Sequence, residues 1–289
     1  MKQKFTLDSP MPPIWMMYPH ITPYSIGWRM GYGEGYRFAL YDWIDTLKED
    51  EQKQYERMFP RPIFWRSYAD EDFDMEKFTY KSIFFWNEGG DAKYTKDKLI
   101  ETFDEHQAEF VFFWKSDPAV INESCFAQWQ SSTFNVDWNT YTGAEQYMMA
   151  EKARLFEDKE IEEQIMKSTD SGEMQALGRK VKNFDRTIWS KAKYSIVLNG
   201  SYYKFSQNKE MRDFLLSTGD KVLVEASPLD KIWGIGLEEE DKNSLNPTTW
   251  KGINLLGFAL MEVRDELGRL YKNSDKVDWK AFEKYFIPL

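Results

Sequence analysis

The stretch TGAEQYMMAEKA (142–153) decides how this chain is read. Glu145 and Lys152 stand seven residues apart in it. On a helix that is nearly two turns, so both side chains share one face, roughly 10 Å apart along the axis. Met148 and Met149 lie between them. A carboxylate and an amine on one apolar face form a candidate catalytic pair, because an apolar setting lowers a lysine pKa and favours the neutral, nucleophilic amine. The same letters admit a plainer reading. Thr142-x-x-Glu145 is also a capping box, in which the glutamate only closes the helix N-terminus, and Lys152 then points into water. Spacing alone leaves both open.

A second stretch, LVEASPLDKIWGIGL (223–237), reads as a strand broken by Pro228 and followed by a loop with Asp230, Trp233, Gly234 and Gly236. Glycines let backbone approach a ligand closely. Tryptophan offers a flat face to a base or sugar, and an aspartate serves as general acid or base. An ordinary aromatic-anchored turn with a turn-forming aspartate fits equally well. Trp189 falls inside a helical pattern, where a core tryptophan is the bland expectation. KFSQN (204–208) offers Lys204 as a phosphate contact or as an exposed lysine. GYGEGY (31–36) lacks a preceding β-branched strand and the full G-x-G-x-x-G spacing, which argues against a dinucleotide fold.

Around these stretches the pattern is mostly helical. Helices are expected near 144–156, 162–167, 173–182, 187–198, 209–217 and 253–267. In the last, Ile253, Leu256, Leu260, Val263 and Leu267 fall at the spacing of a buried stripe. FTYKSIFFW (78–86), FVFFW (110–114) and KVLVEA (221–226) read as short strands, and SSTFNVDWNTY (131–141) as a loop. Pro10, Pro12, Pro13, Pro19 and Pro23 forbid a long helix in the first thirty residues. That segment should run extended, anchored by Trp15, Tyr18, Tyr24 and Trp28. One or two helices should follow, with Phe38, Tyr41 and Trp43 to Leu47 as their apolar stripe. Ser274-Asp275 should precede a short aromatic tail ending in Phe286.

Composition narrows the function. With 289 residues, 42% hydrophobic and 17% aromatic, a packed core is readily supplied. A formal net charge of −10 disfavours a sequence-independent grip on nucleic acid, though not a small basic phosphate pocket. Cys125 is the only cysteine and His20 and His106 are the only histidines. A disulfide, a thiolate zinc cage and a multi-histidine metal site are thereby disfavoured or excluded within one chain. The N-terminus has no apolar signal region and no run approaches a spanning helix, so a soluble, cytoplasmic protein away from membranes is expected.

Five stretches taken together resemble one family. AEQYMMAEKA, LGRKVKNFD (177–185), KFSQN, LLSTGDKVLVEASPLDKIWGIGL (215–237) and NLLGFALMEVR (254–264) occur in the order and spacing of NADAR (YbiA-like) proteins, over roughly residues 110–268. The resemblance implies a compact, mainly α, single-domain YbiA-like fold with a few short strands. Here it would occupy 106–289, with 1–105 as an aromatic-rich N-terminal extension packed on that core. It implies N-glycosidic cleavage at a ribose C1, through a lysine Schiff base that needs no cofactor. Substrates in the family are ribosylamino-pyrimidine intermediates of riboflavin synthesis, or guanine bases carrying ADP-ribose. The latter makes an ADP-ribosyltransferase toxin a functional counterpart.

Carried over by position, the resemblance implies catalytic roles for Lys152, Glu145, Asp230 and Trp189. It implies substrate contacts by Trp233, Gly234, Gln128, Arg179 and Lys204. Where the family often has F-S-N-F, this chain has Phe126-Ala127-Gln128-Trp129. A serine hydroxyl is lost there and the amide is one methylene longer. Arg29 joins as a phosphate contact if GWRMGYGEGY (27–36) lines the pocket rim, since an arginine fork pairs with phosphate oxygens. ADP-ribosylated guanine is the favoured substrate, on the ground that the extra aromatic segment helps hold a larger molecule. A non-catalytic ADP-ribose binder is the rival, and such a binder has no need of a nucleophilic amine.

Overall fold

Strand Phe110–Phe113 pairs in parallel with strand Val222–Glu225, more than a hundred residues further along the chain. Both are runs of aromatic or branched side chains, suited to a pleated, buried surface. Phe113, Leu223 and Val224 are buried. From Ala144 to Ser217 the chain between the two strands is mostly helical. The computed structural model describes residues 5–65, 74–117 and 119–285; the expected aromatic end at Phe286 lies outside them. It divides into two compact units. One is built on the described residues of Met1–Phe73, Asn135–Asn139 and Glu266–Leu289, the other on those of Asp74–Phe134 and Thr140–Asp265.

In the second unit the helices start where the sequence supplies caps. Asp158, Asp170 and Asp185 each accept backbone N–H bonds from the first turn of the helix that follows, Lys159–Lys167, Ser171–Gly178 and Arg186–Gln207 respectively. Helix Ala144–Leu155 begins differently. Thr142 donates its backbone N–H, at 2.8 Å, and its hydroxyl to Gln146 Oε1, and Gln146 Nε2 donates to the carbonyls of Ile165 and Ser168. Gln146, not Glu145, therefore closes this terminus, and it ties the terminus to the end of the next helix. The capping-box reading of Glu145 is set aside on this geometry.

Helix Ala144–Leu155 packs against all three of those helices. Its buried residues include Ala144, Tyr147, Met148, Ala150 and Ala153, so it has no wholly solvated face. Helix Arg186–Gln207 runs nine residues past the expected end at Leu198. It continues through Gly200 because the Tyr147 ring fills the space beside that residue; a Cβ there would lie 2.6 Å from a ring carbon. Helix Leu255–Tyr271 buries Leu256, Leu260, Val263 and Leu267 as expected, whereas Ile253 precedes the helix and is exposed. The expected loop 131–141 is instead two paired strands, Ser131–Val136 and Asn139–Gly143, turning at Asp137 with φ of 49°. Aspartate tolerates that left-handed turn.

In the first unit, helices Tyr32–Ile44 and Glu49–Met58 follow a proline-rich segment that holds only short helical turns. The buried side of Tyr32–Ile44 is Tyr36, Leu40 and Trp43. Phe38 and Tyr41, expected in the stripe, are exposed, as is Tyr24. The phase is set by Tyr36, whose ring packs edge-on against Tyr18, Phe282 and Tyr285 and whose hydroxyl donates to Pro12 O at 2.6 Å. Burying that ring turns Phe38 and Tyr41 outward.

One side chain fastens the parallel strand pair. Asn254 is fully buried at φ of 54°. Its Oδ1 accepts from Glu225 N at 3.0 Å and its Nδ2 donates to Leu223 O at 2.9 Å. Asn254→Leu leaves both buried backbone groups unpaired and should lower stability by about 2–4 kcal/mol. Urea unfolding measures this, and an unchanged midpoint would show that the strand edge is held by something else.

Candidate active site

A cavity of about 830 Å³ opens in the second unit. Helix Ala144–Leu155 turns Glu145, Met148, Met149 and Lys152 toward it, which is the i, i+3, i+4, i+7 face of one helix. Trp189 enters from the first turn of Arg186–Gln207, and Gln175, Gly178 and Arg179 from the end of Ser171–Gly178. The segment Ala127–Gln128–Trp129 forms another wall. The last residue of strand Val222–Glu225, with Ser227, Asp230 and Trp233 of the loop beyond it, closes the ring.

Seven of the expected residues thus share one cavity: Glu145, Lys152, Trp189, Asp230, Trp233, Gln128 and Arg179. Three do not line it. Gly234 is buried beneath the loop, where its carbonyl accepts from Asn254 N. Lys204 is buried inside helix Arg186–Gln207, and its Nζ donates to Ala127 O at 3.2 Å. It buttresses the cavity wall from behind and is not a surface phosphate ligand; burial pushes its pKa down to about 8. Arg29 is an exposed residue of the other unit. Glu225, Trp114 and Trp129, not among the residues expected from the sequence, also line the cavity. Glu225 had a signal: it is the carboxylate at the C-terminal end of the best strand, directly before the loop that carries Asp230.

Lys152 is half-buried. Its Nζ donates to Gly178 O at 2.7 Å and lies 4.6 Å from the centre of the Phe184 ring and 5.3 Å from that of Trp189. Gly178 is a requirement of this contact, since a Cβ there would sit 2.1 Å from the Met149 sulfur and push the helix end away. Burial, and then the Arg179 guanidinium, hold the lysine pKa below its ordinary value, while Glu145 acts the other way.

Glu145 is buried, and its Oε1 has no hydrogen-bond partner among the described residues. Burial pushes its pKa up to about 7; a hydrogen bond from the Trp129 side chain, with Arg179 and Lys152 nearby, restrains the rise. Glu225 is pushed up to about 8 by burial, then by the charges of Asp230 and Glu145. Its Oε2 is buried and also lacks a partner among the described residues. Asp230 Oδ1 accepts from Ile232 N at 2.7 Å and Trp233 N at 2.8 Å. Asp230 is thus both the turn-former and a wall of the cavity. Among the described residues, no group of three His, Cys, Asp or Glu side chains is arranged to hold a metal ion, and no helix is long and apolar enough to cross a membrane.

The two raised glutamates tie stability to pH. The folded chain keeps protons on Glu145 and Glu225 above the ordinary value of 4.5, where an unfolded chain has shed them. Their contribution is full below pH 4.5 and is lost as pH rises through about 7 and 8. The double variant Glu145→Gln, Glu225→Gln should therefore gain thermal stability over the parent at pH 8 relative to pH 5. Parallel melting-temperature curves for the two proteins would contradict this.

The comparisons with known proteins fall on the same region. The model of the NADAR domain matches residues 112–268. The chain is 43% identical over 163 residues to N-glycosidase R617 of Acanthamoeba polyphaga mimivirus, covering 55% of this chain and 96% of that protein. It is 31% identical over 146 residues to N-glycosidase Npun_R5314 of Nostoc punctiforme, covering 50% of this chain and 86% of that protein. The NMR structure of E. coli YbiA aligns with a TM-score of 0.46 at 28% identity, over 56% of this chain and 86% of that one. With the domain model spanning more than half of its length and carrying every wall of the cavity, this chain belongs to the NADAR family.

Proposed function

We propose that this chain is an N-glycosidase that hydrolyses the bond between a ribose C1 and a base nitrogen, and that its substrate is a guanine base carrying ADP-ribose. The observation that carries this reading is the pairing, in one cavity, of a half-buried amine with a lowered pKa and buried carboxyls with raised ones. An amine nucleophile must be neutral, and a proton donor must keep its proton near neutral pH. Burial moves both groups in the needed direction. Relatives named N-glycosidase support the reaction class.

Lys152 Nζ attacks C1, the C1–N bond breaks, and its electron pair leaves with the protonated base. Glu145, which faces the same cavity, accepts the proton that Nζ loses. The ribose ring opens to an imine between C1 and Nζ, and water then releases the sugar as its aldehyde and restores the amine. C1 stays at the aldehyde oxidation level throughout, so no redox partner enters the balance. Trp189 and Phe184 set apolar ring faces beside the amine. Trp114, Trp129 and Trp233 offer flat faces to a base. A cavity of about 830 Å³ suits a nucleotide-sized ligand, and the exposed Arg179 at its edge suits a pyrophosphate. Such a substrate is the product of an ADP-ribosyltransferase.

Incubation with ADP-ribosylated guanosine should release free ADP-ribose, detected by chromatography. Binding without release would favour an ADP-ribose-binding protein, and release of base only from a ribosylamino-pyrimidine would move the substrate to riboflavin-type intermediates. Borohydride added during turnover should trap a covalent adduct on Lys152. Lys152→Arg should lose nearly all turnover while keeping ligand affinity, because an arginine is never a neutral amine in practice. Full activity in that variant, with no adduct, would leave direct attack by water.

A further inference from the structure

We infer that Glu225, and not Asp230, is the acid that protonates the departing base, which makes it a third catalytic side chain beside Lys152 and Glu145. The inference rests on the N-glycosidase reading and assigns a proton that this reading leaves without a donor.

Three observations separate Glu225 from the other carboxylates of the cavity. First, its backbone is locked. It is the last residue of the parallel strand pair, opposite Phe113, and its N–H is held by Asn254 and its carbonyl by Ile235 N. A rigid strand end aims the side chain into the cavity with little freedom. Second, its buried Oε2 meets no donor among the described residues, which leaves that oxygen available to a ligand in the cavity it lines. Third, the electrostatics divide the acids. The charged groups lining this cavity are Lys115, Glu145, Lys152, Arg179, Glu225 and Asp230. Lys152, Arg179 and the Trp129 side chain favour the anion of Glu145. At Glu225 burial is reinforced by the charges of Asp230 and Glu145, both negative, rather than offset as it is at Glu145. Glu145 therefore gives up its proton first and Glu225 retains one. Two coupled carboxyls pushed apart in this way take the roles of base and acid. Asp230 is less suited to donate, because its Oδ1 is already engaged by the backbone N–H groups of Ile232 and Trp233, which hold it in the turn.

The step balances. As Nζ bonds to C1, Glu145 takes the amine proton. The C1–N pair goes to the base nitrogen, which takes the Glu225 proton and leaves neutral. Glu225 is left as a carboxylate. When water hydrolyses the imine, Glu145 returns its proton to Nζ, one water proton completes the amine and the other restores Glu225.

The test is the pH dependence of ADP-ribose release from ADP-ribosylated guanosine by wild type, Glu225→Gln, Glu225→Asp and Glu145→Gln. In wild type, kcat/KM should fall above about pH 8, where Glu225 ionises. Glu225→Gln should lower kcat about 100- to 10,000-fold, with KM nearly unchanged and that alkaline limb gone. Glu225→Asp should retain the limb at reduced rate, which covers the case in which the glutamine variant fails to fold. Glu145→Gln should slow turnover and keep the limb. Unchanged kcat in Glu225→Gln, or a slower variant with the alkaline limb in place, would overturn the assignment while leaving the N-glycosidase reading intact. A wild type that releases no ADP-ribose or base from any N-riboside would overturn both.

Discussion

Desolvation of helix Ala144–Leu155 is the constraint on which the rest of the site depends. Residues Ala144 to Ala150 are buried without a break, Glu145 and Gln146 among them. Burying a carboxylate and half-burying an amine on one helix is unfavourable unless each finds partners or changes its charge. Gln146 finds partners: it satisfies Thr142 on one side and the end of the next helix on the other. Glu145 and Lys152 have fewer partners and are drawn toward their neutral forms, with the carboxyl pKa raised and the amine pKa lowered. The desolvation leaves a carboxyl that exchanges its proton near neutral pH and an amine shifted toward its neutral form.

The remaining architecture serves to keep that helix buried. Three helices, each started by an aspartate cap, surround it, and tight packing at Gly200 and Gly178 brings two of them into contact with Tyr147 and Met149. The parallel strand pair supplies the opposite wall, where Asn254 fixes its edge beside Glu225. Lys204 works at one remove. Buried behind Ala127, it steadies the segment that carries Gln128 and Trp129. A lysine in that place contributes through the wall and not through the ligand.

Local rules succeeded wherever one periodic stripe or one cap governed an element. The stripe of Leu256, Leu260, Val263 and Leu267 is buried as spaced, and FVFF and VLVE form strands. They failed where a distant partner decided. Phe38 and Tyr41 suit an apolar stripe as well as Tyr36 and Leu40 do. The phase was settled by Tyr18, Phe282 and Tyr285, which no local window contains. Residues 131–141 are polar enough to read as loop, and they pair because the turn at Asp137 brings two short strands together.

The amino-acid sequence by itself determined the family, the helical character and the spacing that puts Glu145 and Lys152 on one face of one helix. Those are consequences of local periodicity and of five motifs kept in order. Only the tertiary structure decided which ionisable groups are dry. Burial and the sign of the neighbouring charges depend on segments far apart in the chain, such as those of Glu145 and Asp230, 85 positions apart. That is why Glu225 emerged as a cavity carboxyl, why Lys204 withdrew into the wall, and why Glu145 proved to be a buried acid and not a helix cap.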